Sequence, residues 1–525
     1  LTAQPVGVRG QVGCKEIPKV VDRLVITKPG VYENILVDGK WADGNLVKIQ
    51  ADDVTLRHCE IKNGTHNGIT VYAKNVVIDS CRIHSQLKGT FKDQQDAHGI
   101  TGRPVNLVVR NCEIYHVSGD ALQFDPGRGV WDNVVVENCA LWTGPLPADA
   151  AGFKKGERPG ENALDTKQLK KHPRSRIVLR NCLCHGWGNG QISTQAALNI
   201  KDHVDALVEN CVCYDNDYCF RLRGDTGERG GARVTLRNCA VYRSKVAVRM
   251  EDRIEGLRIE NLAIGAGIGA KYQVAAGAPR DLVNKGEFEA PRLEEVVKEG
   301  VKPPPRRFKL SDQSLLVETV FEDDFSQKSD DWLIEGPLQV KLAAGRLFFD
   351  ARERKPPAGT IWCKRAFAGD QVVEYVARIE EGPGSTNLNF FLFGSNLDGS
   401  SVLGTTGQRT GDYGEYHKLN NYIYTYLNDK DKEGAEATRV RFRKDPGFHL
   451  LLQEWRKQPI EKGRDYHFTI AVQGPRLRFY VDGQLVLDHR ETETGHRHGH
   501  HAFRTFQSHV SADLFRISRI VCEKP

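Results

Sequence analysis

The sequence predicts an all-β chain in two parts, and three observations predict it. Short alternating apolar runs recur through the first half, each closed by the same kind of dipeptide. Helical periodicity is missing there. Past the prolines at 303–305 the repeats stop, and longer, more aromatic runs alternate with Gly and Asp turns. At 525 residues the chain exceeds one compact domain, and a repeat architecture is the main way a single domain outgrows that limit. Lys+Arg 74 against Asp+Glu 68 leaves +6, too mild and too interspersed with acids to indicate a nucleic-acid partner. No run of about 18 apolar residues occurs, so no membrane span is predicted. The chain starts at Leu1 and its one methionine is Met250, which reads as a processed start with any signal peptide already removed.

The first part is an internal repeat. Cys112, Cys139, Cys182, Cys211 and Cys239 each follow an asparagine and close an alternating run: LVVRNC, VVVENC, IVLRNC, ALVENC and VTLRNC. TLRHC at Cys59 and VIDSC at Cys81 share the frame, and Leu262 takes the cysteine slot in LRIENL. Successive spacings are 22, 31, 27, 43, 29, 28 and 23 residues. A minimum near 22 with variable insertions reads as a parallel β-helix, with coils stacked about 4.8 Å apart. The cysteines then form an interior ladder of compact apolar side chains. Disulfides and metal sites fit worse, because the count of 13 is odd and no C-x-x-C pair occurs. The asparagines are expected to form a hydrogen-bonded ladder at one corner.

A second strand recurs once per coil and carries the chemistry. Aligned on their inward residues, these strands run GITVY, GITGR, ALQFD, ALDTK, ALNIK, CFRLR and AVRME. Because side chains alternate, one outward column reads Thr70, Thr101, Gln123, Asp165, Asn199, Arg221, Arg249. The next reads Tyr72, Arg103, Asp125, Lys167, Lys201, Arg223, Glu251, and Asn67, His98, Asp120 and Asn162 stand just before the strands. Acids hold the middle coils and cations the following ones. A salt-bridged ladder, with Asp125 beside Lys167, would show the same order and stabilise only weakly if exposed; a catalytic surface is the sharper reading. The excursion LWTGPLPADAAGFKKGERPGEN, carrying Lys154 and Lys155, is long enough to wall that surface. Trp131, Trp142 and Trp187 are read either as sugar-stacking faces or as core, with Trp142 assigned to substrate.

On these residues the chain from 14 to 270 resembles a right-handed parallel β-helix of the pectate-lyase-like superfamily. The Asn-Cys ladder, KPGVYENILVDG, DAHGITG, SGDALQFDPG and ENALDTK carry the resemblance. It implies a secreted or periplasmic bacterial polysaccharide lyase or glycoside hydrolase with its site on one outward sheet face. On that face the polygalacturonase-type Asp-Asp and Gly-His-Gly are absent, as is the tighter Asp-Asp-Gly cluster of lysine-base lyases. The first expectation is β-elimination on an acidic polysaccharide. Lys167 or Lys201 would be the base, depressed in pKa by Arg221 and Arg223, with Arg223 in the catalytic set beside Asp165 and Asp125. Asp120, Asp125 and Asp165 would offer oxygen ligands to calcium, and no organic cofactor is expected. Arg221 and Arg249 would clamp carboxylates; His98, Arg103, Gln123, Asn199 and Trp142 complete the expected substrate contacts. The alternative is hydrolysis by Asp125 and Asp165. A second alternative is a non-catalytic glycan-binding surface protein with the β-helix as a stalk.

The repeat fades after residue 274. Residues 275–318 read as a spacer with a short helix in APRLEEVVKEG and an extended KPPPRR. From 319 to 525, runs such as GRLFFDA, VVEYVARIE, LNFFLFGS and LRFYVDGQLVLDH predict an antiparallel β-sandwich. That part resembles the concanavalin-like jelly-roll domains of bacterial carbohydrate-active proteins, through RTGDYGEYHKLNNYIYTYLN, TRVRFRK and FRTFQSHVSADLFRI. The resemblance implies a glycan-binding or accessory role, with Arg439, Arg441 or Tyr413 as residues that would reach substrate. The histidines of GHRHGHH are expected in a solvent-facing loop.

Overall fold

The structure is a computed structural model and describes residues 5–15, 17–127, 129–224, 230–252, 254–275, 281–302, 304–325, 330–343, 345–382, 387–492 and 494–521. The chain forms two compact units that meet in sequence at residues 303 and 304. Among the described residues the first unit holds three parallel sheets of eleven, ten and ten strands. The chain visits them in fixed order. One coil runs Glu113–Val117 in the first sheet, Leu122–Phe124 in the second and Asp132–Glu137 in the third, then repeats. Inward Val, Ile, Leu and Phe from all three sheets fill one continuous core.

The corner between the third and first sheets explains the Asn-Cys signature. Asn111, Asn138, Asn181, Asn210, Asn238 and Asn261 all have φ between 48° and 59°. This left-handed conformation is costly for most side chains, and asparagine is among the few that adopt it readily. Their amides then bond from coil to coil: Asn181 Nδ2 donates to Asn138 Oδ1 at 3.1 Å and Asn210 Nδ2 to Asn181 Oδ1 at 2.7 Å. The next residue turns inward. Cys81, Cys112, Cys139, Cys182, Cys211 and Cys239 are buried free thiols. Each donates weakly to a carbonyl of the preceding coil, as Cys182 Sγ does to Val136 O at 3.6 Å. Burial pushes the Cys239 thiol up to about 12.

The expected spacer is built into the two units instead. Leu282–Asn284 and Glu287–Glu289 add strands to the third and first sheets. The helix Leu293–Glu299 lays Val296 against Val212, Ala240, Tyr242 and Ala263, together with Val6 from the N-terminal segment. Arg306–Lys309 already pairs antiparallel with Ser314–Asp323 in the second unit. The last coil lacks an Asn-Cys dipeptide, so its strands carried no repeat signal.

The second unit is an antiparallel sandwich, with sheets of nine and seven strands among the described residues. Its core is aromatic: Tyr375, Phe390, Tyr424, Phe468, Phe479, Phe503 and Phe515 interlock between the sheets. The histidine run is a loop only up to Arg497. His498–Phe506 is an inner strand of the seven-stranded sheet, with His500 and His501 buried. His501 stacks on Phe367 at 5.1 Å, and burial pulls it down to about 3. His500 reaches Ser401 Oγ at 2.9 Å.

Candidate active site

In-register parallel pairing assembles the predicted outward column on the second sheet. Thr70, Thr101, Gln123, Asp165, Asn199, Arg221 and Arg249 are successive Cα partners. Asp125, Lys167 and Lys201 each follow the last residue of a strand of this sheet. Beside it, three connections between the first and second sheets zip together. Gly160 N donates to Gln94 Oε1 at 2.7 Å, and Gln195 Nε2 to Gly160 O at 2.8 Å. Phe153 packs with Leu87 and Leu146, giving the long excursion its own small core. Lys154 is exposed and paired with Asp149.

At the strand entries a buried polar ladder runs from coil to coil. His98 N donates to Asn67 Oδ1 at 2.9 Å, Asp120 N to His98 Nδ1 at 2.9 Å, and Asn162 Nδ2 to Asp120 Oδ1 at 2.8 Å. Because His98 Nδ1 accepts a backbone N–H, the neutral ring carries its proton on Nε2. Burial lowers the His98 pKa further. Gln123 Nε2 also donates to Asp120, at 3.1 Å. Burial, then Asp165 and Glu161, push the Asp120 carboxyl well above the usual range.

At the strand exits the charges converge on Asp165, which is 4% exposed. Lys201 Nζ lies 2.9 Å from Asp165 Oδ1, Lys167 Nζ lies 3.4 Å from Oδ2, and Asn199 Nδ2 donates at 2.9 Å. Lys167 also reaches Asp125 at 3.6 Å. Burial alone would lower the Lys167 ammonium, but Asp165, Asp125 and Asp120 outweigh it and raise it. The expected depression by arginines therefore does not operate on Lys167. Trp131, fully buried, donates its indole N–H to Lys167 O at 2.8 Å and fixes that backbone. A cavity of about 170 Å³ opens beside Asp125, Lys167 and Gln168.

One residue missed in the sequence belongs here. Glu161 stands directly before Asn162–Thr166, and its carboxyl is raised by burial, then by Asp96 and Asp165. Alternation along the strand, Glu161, Ala163, Asp165, was the signal that would have found it.

The remaining assignments separate from this cluster. Arg221 Nη2 lies 3.0 Å and Arg223 Nε 3.4 Å from Glu251, and Arg249 Nε also bonds that carboxylate. Burial would raise Glu251, but Arg221 and Arg249 outweigh it and lower it. This half of the surface is the salt-bridged ladder, and its arginines are not free clamps. Arg103 stacks on Tyr72 at 5.0 Å. Trp142 lies on the first sheet, in a pile of rings: His84, Tyr115, Trp142, His185 and Tyr214 stack with centroids 4.3–5.8 Å apart. The ring faces cover one another, so Trp142 offers no free platform to a sugar. Trp187 is core. The three aspartates assigned to calcium do not form one ligand set. Asp120 is held by Asn162 and Gln123, Asp165 by two lysines, and Asp125 by Lys167 and Gly127 N. Among the described residues no group of three or more His, Cys, Asp or Glu side chains is arranged to hold a metal.

Comparison with known proteins agrees with this architecture. Residues 33–147 match the family model for the right-handed β-helix region. Residues 354–515 match a domain of unknown function, DUF6250. No curated protein matches. The sandwich has neighbours among solved structures. A Bacillus subtilis protein of unknown function with a galectin-like fold is 21% identical, covering 39% of this chain and 97% of its own, at a TM-score of 0.35. The carbohydrate-binding module CBM66 from Bacillus subtilis is 16% identical, covering 35% and 92%, at 0.25. An endo-β-1,3-glucanase from Pyrococcus furiosus is 12% identical, covering 42% and 100%, at 0.29.

Proposed function

We propose that the second-sheet groove hydrolyses glycosidic bonds of an acidic polysaccharide. Glu161 donates its proton to the leaving oxygen as the C1–O bond breaks. Asp165 takes the proton of the water that attacks C1, and proton transfer back to Glu161 closes the cycle. The observation that carries this reading is the division of the carboxyls: burial, then Asp96 and Asp165, raise Glu161, while Asp165, four residues further along the chain, is paired with two ammoniums. Lys201 and Lys167 are engaged by Asp165, and Lys167 also lines the cavity where an acid group of the sugar would meet its ammonium. The pectate-lyase-like resemblance of the β-helix supports a polysaccharide substrate.

A second reading is β-elimination, favoured by Lys167 lining the cavity at the strand exits. A lysine base must be neutral, and the acids around Lys167 oppose that, while Lys201 lies closer still to Asp165 at 2.9 Å, so elimination stands second. A panel of acidic polysaccharides decides between the two. New reducing ends without the ultraviolet absorbance of an unsaturated uronate are expected, and Glu161→Gln should lose about 10²–10⁴-fold in rate. A rising absorbance would install elimination instead. Full activity in Glu161→Gln would remove the proton donor. Neither product from any substrate would favour the binding-protein reading.

A further inference from the structure

The outer face of the seven-stranded sheet carries a polar row with arginines that no carboxylate reaches within ion-pair distance among the described residues. Cross-strand pairing sets Thr360, Arg504, Asn389, Thr425, Arg441 and Gln453 side by side. Their strand neighbours Phe390, Tyr424, Phe442 and Phe503 point into the sandwich core, so this row faces outward. Over one end fold the 3-10 turn Val402–Gln408 and the short helix Tyr413–Tyr416, packed on Trp362, Phe391 and Ile423. Beneath them Arg504 is 2% exposed, its guanidinium 4.7 Å from the Tyr413 ring and 5.3 Å from Tyr416. Arg441 and Arg443 continue the face, half-buried, on the strand Glu436–Asp445.

Three of these guanidiniums lack a carboxylate. Arg504 donates to the carbonyls of Thr505 and Gly411, Arg441 to Gln453 Oε1 at 2.9 Å, and Arg443 to Phe448 O at 3.0 Å. None of the three makes an ion pair among the described residues, whereas neighbouring Arg439 is paired with Asp429. Polar atoms in the floor are also unsatisfied: Arg504 Nε, Asn389 Oδ1 and Thr360 Oγ1 are buried without a hydrogen-bond partner. Native proteins rarely leave such groups unpaired, and water or a ligand is the usual partner. A neutral sugar would satisfy the hydrogen bonds and leave the charges. An oxyanion on a sugar satisfies both. Burial, and then repulsion from Arg439, already lower the Arg441 pKa, which a bound anion would relieve.

We propose that this face of the sandwich is a binding site for the oxyanion of an acidic glycan, with Arg441 and Arg443 as its contacts over a floor of Arg504 and Asn389. It lies on the second unit, whereas the proposed groove lies on the first. The acidic-substrate reading enters only in the choice of probe. The test is calorimetric titration of the full chain, carrying Glu161→Gln to stop turnover, with a galacturonate hexasaccharide, its fully methyl-esterified form and a sulfated hexasaccharide. The acid or the sulfated sugar should bind, the ester should bind about tenfold more weakly or not at all, and affinity should fall with added salt. Arg441→Gln and Arg443→Gln should each weaken binding about tenfold at this site, with unchanged melting. Preference for the sulfated sugar assigns sulfate as the oxyanion; preference for the acid assigns carboxylate. Equal binding of the ester, or wild-type affinity in both arginine variants, overturns the proposal. Failure of the groove reading shows separately, as full turnover in Glu161→Gln.

Discussion

Replacing Asp165 with asparagine keeps the shape and the Asn199 hydrogen bond while removing the charge that holds Lys201 and Lys167. The Lys201–Asp165 contact at 2.9 Å corresponds to about 6 kcal/mol of direct attraction at an effective dielectric of about 20. Desolvation offsets much of it, and stripping one partner from a buried pair costs about 3–5 kcal/mol. The lysine side chains keep 12% and 24% of their exposure, so water recovers part of the loss and the lower end, about 3 kcal/mol, applies. For a unit running from Ala3 to residue 303 that is a fall of roughly 5 °C in the β-helix transition, read by circular dichroism. Lys201→Met alone and the double variant close a cycle, whose coupling should reach about 1.5 kcal/mol. The pH dependence has a definite sign. Lys167 is raised in the fold, so its contribution is fully present below 10.5 and lost as pH rises through the folded value. The Asp165→Asn penalty should therefore shrink in strong alkali. A melting change under 1 °C, or a coupling near zero, would refute the view that these charges hold the site together.

Three further outcomes are expected. Since Glu161 must keep its proton, kcat/KM should fall on the alkaline side at a pH above the ordinary carboxylate value of 4.5, and Glu161→Gln should flatten that limb; a limb unchanged in the variant assigns it to another group. Asn181→Gly should cost about 1 kcal/mol through the lost ladder bond, whereas Asn181→Val should cost about 2–3 kcal/mol because a branched side chain resists the left-handed turn; equal losses in urea melts would count against the conformational argument. Of the 13 cysteines, the eleven buried ones should resist a thiol reagent in the native protein and react in denaturant, with Cys14 the more accessible; rapid native labelling of the ladder would contradict its burial.

What was legible in the sequence was local or strictly periodic. The Asn-Cys pairs announce both a left-handed turn and a small inward residue, and parallel in-register stacking carries the columns from Thr70 to Arg249 without further information. What was missed depends on neighbours in space. Trp142 follows Cys139 by three residues, the offset at which Tyr115, His185 and Tyr214 also follow their cysteines, yet its place in the ring stack emerges only when coils are superposed. Glu161 sits one residue ahead of the ladder position at Asn162, inside a segment read as a wall. Arg221 and Arg249 looked free because Glu251, two residues from Arg249, was placed in another column. His500 and His501 lack the apolar signature of an inner strand, and aromatic stacking and a serine partner compensate.

The thiol ladder makes the order of events during folding consequential. Coils about 4.8 Å apart put successive cysteines inside the Cα separation that a disulfide spans, yet the twelve described cysteines are all reduced. In any oxidising compartment, coil closure must outrun sulfur chemistry, since a bond made early between two rungs staples the chain before its register is set. Once closed, the interior shields each buried thiol from oxidant and leaves it inert. The stack thus gives the β-helix a one-way character: secure when assembled, and exposed to mispairing each time its coils open.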